Sequence, residues 1–447
     1  ATAYNKEADA IFEVLQNFRD QGFNVPKVTF YTNTRSADVV CGLYRRYYEK
    51  GLYKDLWYAP DGKPLIIGVS EDGLISAQNR ELYAMLKEDF FDFRESQWPD
   101  GKTTIENLET WMSWQYPQKN FNGMMSVSLA QHPDAKMSNG PLTNNGRGFD
   151  YKKMRNYTSN SDKGTNYQGQ WETVFENNAD SSKKYVDQVL VTGFNEWMAI
   201  KLNDGNDSYF VDTFSEEYSR DIEMMKGGYG DNFVVQTLIN TRKYKYSDAK
   251  HYKYDLKTMP LDDFSAEAWK DVKSEYKDPV GDALARDYRD AFSTTTYVDN
   301  SNRNDISSVR IAHDTANLYV RVETAEAVTA YNGTDKNWMN LLIQTENGGE
   351  NSFAGFQYIV NRSPDGSGKT SVEKSRGGFS WESAGSAQYA VSGNVVLYSI
   401  PLASLGLTAQ NCYIRIKACD NVTKPDDIMD YYVSGDSAPI GRFAYSY

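Results

Sequence analysis

The chain has 447 residues, which at roughly 150 per domain implies two or three domains. With 40% hydrophobic and 14% aromatic residues it can build cores without disulfide or metal staples. Forty-eight Lys and Arg against 61 Asp and Glu leave a net charge of -13, which repels a phosphate backbone and argues against a nucleic-acid partner. No run of 18 apolar residues occurs, mean hydropathy is -0.66, and Ala1 to Asn5 lacks the charged and apolar regions of a signal peptide, so no membrane span is expected.

In chain order, the spacing of Ile11, Leu15 and Phe18 predicts a helix over 5–22, followed by a strand at 27–32 that ends near Asn33. A second helix is expected over 35–50, a strand at 64–69, a helix over 76–87 and a strand at 89–94. Further strands are expected at 110–116 and 123–129, then a helix over 167–178 and a strand at 188–194. The last of these, Gln188 to Phe194, is too short and apolar for an amphipathic helix and reads as a buried parallel strand. Apolar strands that turn polar at their C-terminal ends are the pattern a (β/α)8 barrel presents at its active face. Only six such strands can be counted before residue 250, so the first strands are expected to be missing, because the protein was cut, because the sequence is a fragment, or because a separate N-terminal segment completes the barrel.

The texture changes after about residue 251. Short alternating runs at Val309 to Ala312, Leu318 to Val322, Phe356 to Val360, Val395 to Ile400 and Tyr413 to Lys417 predict an antiparallel β-sandwich over 280–447. The expected organisation is therefore α/β plus all-β: a TIM-type barrel over 1–250, a linker over 251–279 and the sandwich. Gly366-Ser367-Gly368-Lys369-Thr370 imitates the end of a phosphate-binding loop, but Ser363 stands where the first glycine belongs, and a hairpin turn is expected instead.

Cys41, Cys412 and Cys419 cannot form a disulfide framework, and the odd separation of the last two places them on opposite faces of a strand. His132, His251 and His313 show no metal-ligand spacing. The chain is rich instead in acids, amides, Tyr and Trp, which suits sugar: carboxylates and amides bond hydroxyls, aromatic faces stack on pyranose rings, and paired carboxylates cleave glycosidic bonds. No cofactor is expected. If any ion is bound, it is expected to be structural calcium in the sandwich, at the acidic loops Asp299 to Asp305 or Asp426 to Asp430.

The stretch Val191-Thr192-Gly193-Phe194-Asn195-Glu196-Trp197, with Tyr167-Gln168-Gly169-Gln170-Trp171 before it, resembles the last βα units of family 99-like glycoside hydrolases, the group that contains endo-α-mannosidases. Phe90 to Glu95, Trp114 to Gln118 and Met125 to Gln131 extend the resemblance over most of 5–245. It implies a Glu in Asn-Glu-Trp that assists at the sugar 2-hydroxyl, matched by Glu196. It also implies a second Glu three residues on as acid/base, where this chain has Ala199. Glu95 is the expected substitute and Glu223 a more distant one. Asn195, Trp197, Trp98, Gln131, His132 and Tyr116 complete the expected substrate-binding set. Residues 280–447 resemble family 9 carbohydrate-binding modules, with Trp338 and Trp381 the expected stacking platforms, half exposed on a concave face.

Together these readings predict a secreted or cell-surface glycoside hydrolase acting on an oligosaccharide or polysaccharide. A non-catalytic carbohydrate-binding protein and a polysaccharide-assembly protein are the alternatives.

Overall fold

The computed structural model describes residues 5–97, 108–113, 115–131, 145–195, 201–203, 205, 208–210, 215–225, 227–246, 254–283, 286–289, 294–299, 301–346 and 349–447. The chain divides into two compact units, Ala1–Ser247 and Asp248–Tyr447.

The first unit alternates helices and parallel strands. Helix α1 (Asn5–Asp20) leads to β1 (Phe30–Tyr31), α2 (Ser36–Leu43), β2 (Leu65–Gly68), α3 (Arg80–Met85), β3 (Asp92–Gln97) and β4 (Leu108–Thr110). These four strands form one parallel sheet in the order β1-β2-β3-β4, with Phe30 opposite Ile66, Ile66 opposite Phe93, and Ser96 opposite Glu109. Strands β5 (Met124–Ser128) and β6 (Gln188–Thr192) form a second parallel pair in the register Met124 to Gln188. Helix α4 (Thr165–Ala179) lies between them in sequence, and α5 (Asn232–Lys245) follows.

The eight-stranded (β/α) barrel expected from the alternation is therefore corrected. Among the described residues the parallel strands form separate sheets of four and two, with no closed ring. Closure requires every strand to hydrogen-bond on both sides with a fixed stagger. Here β6 pairs only with β5, and no ladder joins β4 to β5. That one-sided pairing also explains why β6 is half-buried along most of its length rather than enclosed as its apolar sequence suggested.

Two cores hold this unit. Phe12, Val40, Tyr47, Tyr48, Trp57, Ile66 and Leu86 pack beneath the first sheet. The buried residue of α1 is Phe12, stacked on Tyr53 and edge-on to Trp57 at 5.0 Å, whereas Ile11 of the expected face is 55% exposed. The second core sets Tyr167, Trp171 and Val174 of α4, at helical spacing, against Met125 and Val127 of β5 and Phe233 of α5.

The second unit is built on an antiparallel sheet of eleven strands: β7 (Ser274–Lys277), β8 (Ile306–His313), β9 (Asn317–Thr324), β10 (Asn340–Thr345), β11 (Tyr358–Val360), β12 (Lys369–Gly377), β13 (Ser380–Ser392), β14 (Val395–Pro401), β15 (Ile414–Asp420), β16 (Asp436–Ala438) and β17 (Tyr445–Ser446), with a separate antiparallel pair, Arg286–Arg289 and Thr296–Asp299, between β7 and β8 in sequence. The hydrogen-bonded order is β7-β8-β9-β14-β13-β12-β11-β10-β15-β16, with β17 also on β15. The antiparallel, all-β character expected of this half is borne out, and its strands are hydrogen-bonded in one continuous, curled sheet. The register shifts at Ile306/Ser308, Val372/Glu373 and Ser375/Gly377, and irregularities of this kind raise local twist.

The sheet folds around its own inner face. Val309, Val320, Leu341, Val360, Val396 and Ile416, from strands spread across the order, share one core. Cys412 joins that core and Cys419 the cluster on the other face, so the two thiols stand on opposite faces, and all three cysteines are free. The stretch expected as a linker contributes β7 and the buried Met259 and Trp269 to this unit. Gly366 and Gly368 both have positive φ in the turn that joins β11 to β12, where Asp365 N donates to Lys369 O. The phosphate-loop imitation is a hairpin turn.

Candidate active site

Chemistry-bearing side chains of the first unit gather where its parallel strands end. Glu95 lies on β3 between Gly68 of β2 and Leu108 of β4, and its Oε2 accepts a hydrogen bond from Ser70 N at 3.0 Å. Ser96, the next residue, takes a hydrogen bond from Asn33 Nδ2 beyond β1 at 3.1 Å. Gly68 is required here by close approach: a Cβ on it would lie 2.8 Å from Ser36 Oγ and 3.1 Å from the Phe93 ring. Glu95 is half-buried, so its carboxylate is held by the backbone yet not sealed off.

Beneath it, Arg94 Nη1 donates to Glu109 Oε1 at 2.6 Å and to Gln188 Oε1 at 2.9 Å. Gln188 Nε2 completes the triangle by donating to Glu109 Oε2 at 2.8 Å. Burial pushes the Glu109 carboxyl up, against the opposing pull of Arg94 and Gln188. The triangle links β3, β4 and β6, doing with side chains what no ladder does. At the strand ends, Thr192 Oγ1 donates to Trp111 O and Gln131 Nε2 to Ser113 O (2.8 Å), so the two sheets are tied at their carboxyl edges.

Gln131 is fully buried. Its Oε1 lies 2.6 Å from the Tyr151 hydroxyl and 3.3 Å from Asn145 Nδ2. Tyr151 also reaches Asn166 Oδ1 at 2.5 Å, while Asn166 and Gln170, one turn apart on α4, clamp the end of β5 through Leu129 O and Ser128. Gln131 therefore organises the edge, and Tyr116, 40% exposed and stacked on Tyr151, is the expected member of this group that faces solvent. Sequence reading missed Tyr151, Asn166 and Gln170. Asn166 and Gln170 at i and i+4, each next to an apolar core position of the helix (Tyr167 and Trp171), were the available signal.

Beyond β6 the chain turns at Gly193, whose φ is +81° and where a Cβ would meet Arg220 O at 2.8 Å. Phe194 and Asn195 follow, both exposed. Phe194 O accepts from Glu223 N at 2.8 Å, which brings the more distant acid candidate beside Asn195, and the Arg220 guanidinium covers the Trp111 ring at 4.5 Å. Glu196, Trp197, Ala199, Trp98 and His132 lie outside the described residues.

Of the two expected stacking platforms, Trp338 is enclosed and Trp381 keeps intermediate exposure. Trp338 is 2% exposed, its Nε1 donates to Thr329 O at 2.7 Å, and Tyr331 and Tyr389 cover its ring. Trp338 is therefore a core residue and not a stacking platform: its indole fills the sheet's interior and needs a backbone acceptor there. Trp381 is half-buried and edge-on to Phe379 at 5.5 Å. Of the loops expected to hold calcium, Asp299 is used by Ser301 N and Asn421, and Asp430 by Tyr297, Lys424 N and Ser434. The acids that converge are Asp278, Asp282 and Asp436. Among the described residues, no helix is long and apolar enough to cross a membrane. No family model matches the chain, and no curated protein is similar enough to match it.

Proposed function

We propose that the protein is a glycoside hydrolase, secreted or displayed at the cell surface, that acts at the carboxyl edge of the first unit's parallel strands. The observation that carries this reading is Glu95, a half-buried carboxylate near the C-terminal end of an inner strand, whose Oε2 accepts from Ser70 N, with Asn33 and Ser96 bonded to each other at the same strand edge on the other face. Ligands of open parallel sheets bind outside the carboxyl ends of the strands, and sugar hydroxyls need the amides, hydroxyls and aromatic faces that this edge supplies. Glu95 would move the proton at the glycosidic oxygen. The second carboxylate that such chemistry requires would come from Glu196 or Glu223, with Asn195 and Tyr116 contacting the sugar. A second reading, a non-catalytic sugar-binding protein, is favoured by Ala199, which stands where the enzymes this segment resembles carry their acid.

Reducing-end release from a panel of α-linked glycans separates the two. The enzyme reading expects cleavage of at least one glycan, and a fall of about 10² to 10⁴ in rate for Glu95→Gln with an unchanged melting temperature. Binding of a glycan without release of reducing ends from any member of the panel would establish the second reading instead.

A further inference from the structure

In hydrogen-bond order the sheet of the second unit begins at β7 and ends at β16, and its two ends meet. Among the described residues no ladder joins β16 to β7 or β8, so side chains hold the seam. Asp436, the first residue of β16, accepts Ile306 N of β8 on Oδ2 at 2.5 Å and Ser437 N on Oδ1 at 2.6 Å. Tyr276 of β7 stacks on Tyr445 of β17 at 4.5 Å, and the Tyr445 hydroxyl donates to Asp278 Oδ1 at 2.7 Å.

At this seam, one carboxylate oxygen from each of Asp278, Asp282 and Asp436 lies within 4.8 Å of the other two. Calcium binds oxygen at about 2.3 to 2.6 Å, so oxygens on opposite sides of one ion are about 4.6 to 5.2 Å apart, the span found here. A separate observation points to a ligand. Asp278 is 5% exposed, and its Oδ2 has no hydrogen-bond partner; Asp305, also 5% exposed, holds Gly281 N on Oδ2 at 2.9 Å while its Oδ1 has none. A buried carboxylate oxygen left without a donor is costly and is ordinarily matched by a cation. The buried ammonium of Lys417 interacts with Asp278 and Asp436, but it donates to Pro439 O and is a single charge facing several acids.

We propose that Asp278, Asp282 and Asp436, with Asp305 beside them, bind one calcium ion that clamps the two ends of the eleven-stranded sheet. The carboxylates come from three separate segments: the exit of β7 and its following loop, the entry to β8, and the start of β16. The ion would thus fasten the seam where strand pairing is lacking. An all-protein set of oxygens suits calcium, whereas magnesium prefers to keep several of its waters.

The test uses the full chain after chelator treatment, titrated with calcium chloride alone by calorimetry and melted with and without it. One calcium per chain and a higher melting temperature are expected. Asp282→Asn, at the half-exposed and least enclosed ligand, should lower affinity by at least about tenfold with an unchanged circular dichroism spectrum. Asp278→Asn should do the same and replaces it should Asp282→Asn fail to fold. Asp426→Asn, in a loop away from the three ligands, should bind as the parent does. No uptake by the stripped parent at millimolar calcium would overturn the proposal, as would parental affinity in both ligand variants. Magnesium bound as tightly as calcium would overturn the choice of ion.

Discussion

Trp338 and His313 show how burial decides a side chain's role. A Trp in a strand-rich segment reads the same in sequence whether it stacks on sugar or fills a core, and only its surroundings separate the two. With Nε1 bonded to Thr329 O and the ring under Tyr331 and Tyr389, Trp338→Ala should destabilise the second unit by about 3 to 5 kcal/mol, read as a shift of its urea transition in the full chain. A change confined to glycan binding, with stability intact, would return Trp338 to the surface. His313 is 5% exposed; the Ala409 carbonyl can only accept, so Nε2 carries the proton and Nδ1 accepts from the Tyr447 hydroxyl at 2.6 Å. Burial lowers its pKa from 6.5, against smaller opposing effects of Ala409 and Asp314. The unfolded chain therefore binds this proton more readily than the folded one, so its contribution is complete above about 6.5 and is lost as pH falls below that value. Melting temperatures at about pH 7.5 and about pH 5.5 should differ less in His313→Gln than in the parent. An equal difference would show that another group sets the acid limb.

At the scale of elements, the Arg94, Glu109 and Gln188 triangle joins the four-stranded sheet to the β5-β6 pair, between which no ladder runs among the described residues. Glu109 is 2% exposed, so removing one partner leaves a buried charge uncompensated. Arg94→Met or Glu109→Gln alone should cost the first unit about 3 to 5 kcal/mol, and Arg94→Met with Glu109→Leu should recover much of the loss. Additive losses in urea denaturation of the double variant would show that the residues act separately. Most of the strands were legible: Leu65 to Gly68 and Met124 to Ser128 fall within the expected 64–69 and 123–129, because short apolar runs between helices have few other homes, whereas the strand expected at 110–116 forms at Leu108–Thr110. Their closure was not legible. Which strand pairs with which depends on contacts such as Gln188 with Arg94, far apart in sequence, and periodicity carries no record of them.

Across the whole molecule, the same limit separates what composition revealed from what only three dimensions reveal. The change from helix-and-strand to all-β texture was visible in the alternation after residue 251. The boundary between the units falls at Ser247 and Asp248, because Met259, Trp269 and β7 belong to the second core and sheet. The convergence of Asp278, Asp282 and Asp436 was invisible, since none follows a metal-binding spacing and the sheet must curl before its ends meet. Glu95 was legible as a strand-end acid, whereas its partner Ser70 was not, because it arrives from the end of another strand. If glycan binds at this carboxyl edge, a crystal structure of Glu95→Gln with an α-linked oligosaccharide should show sugar over the C-terminal end of β3, with a ring hydroxyl or glycosidic oxygen within about 3.2 Å of the residue 95 side chain. Sugar bound only elsewhere on the chain, with the carboxyl edge of β3 free of it, would rule out binding there.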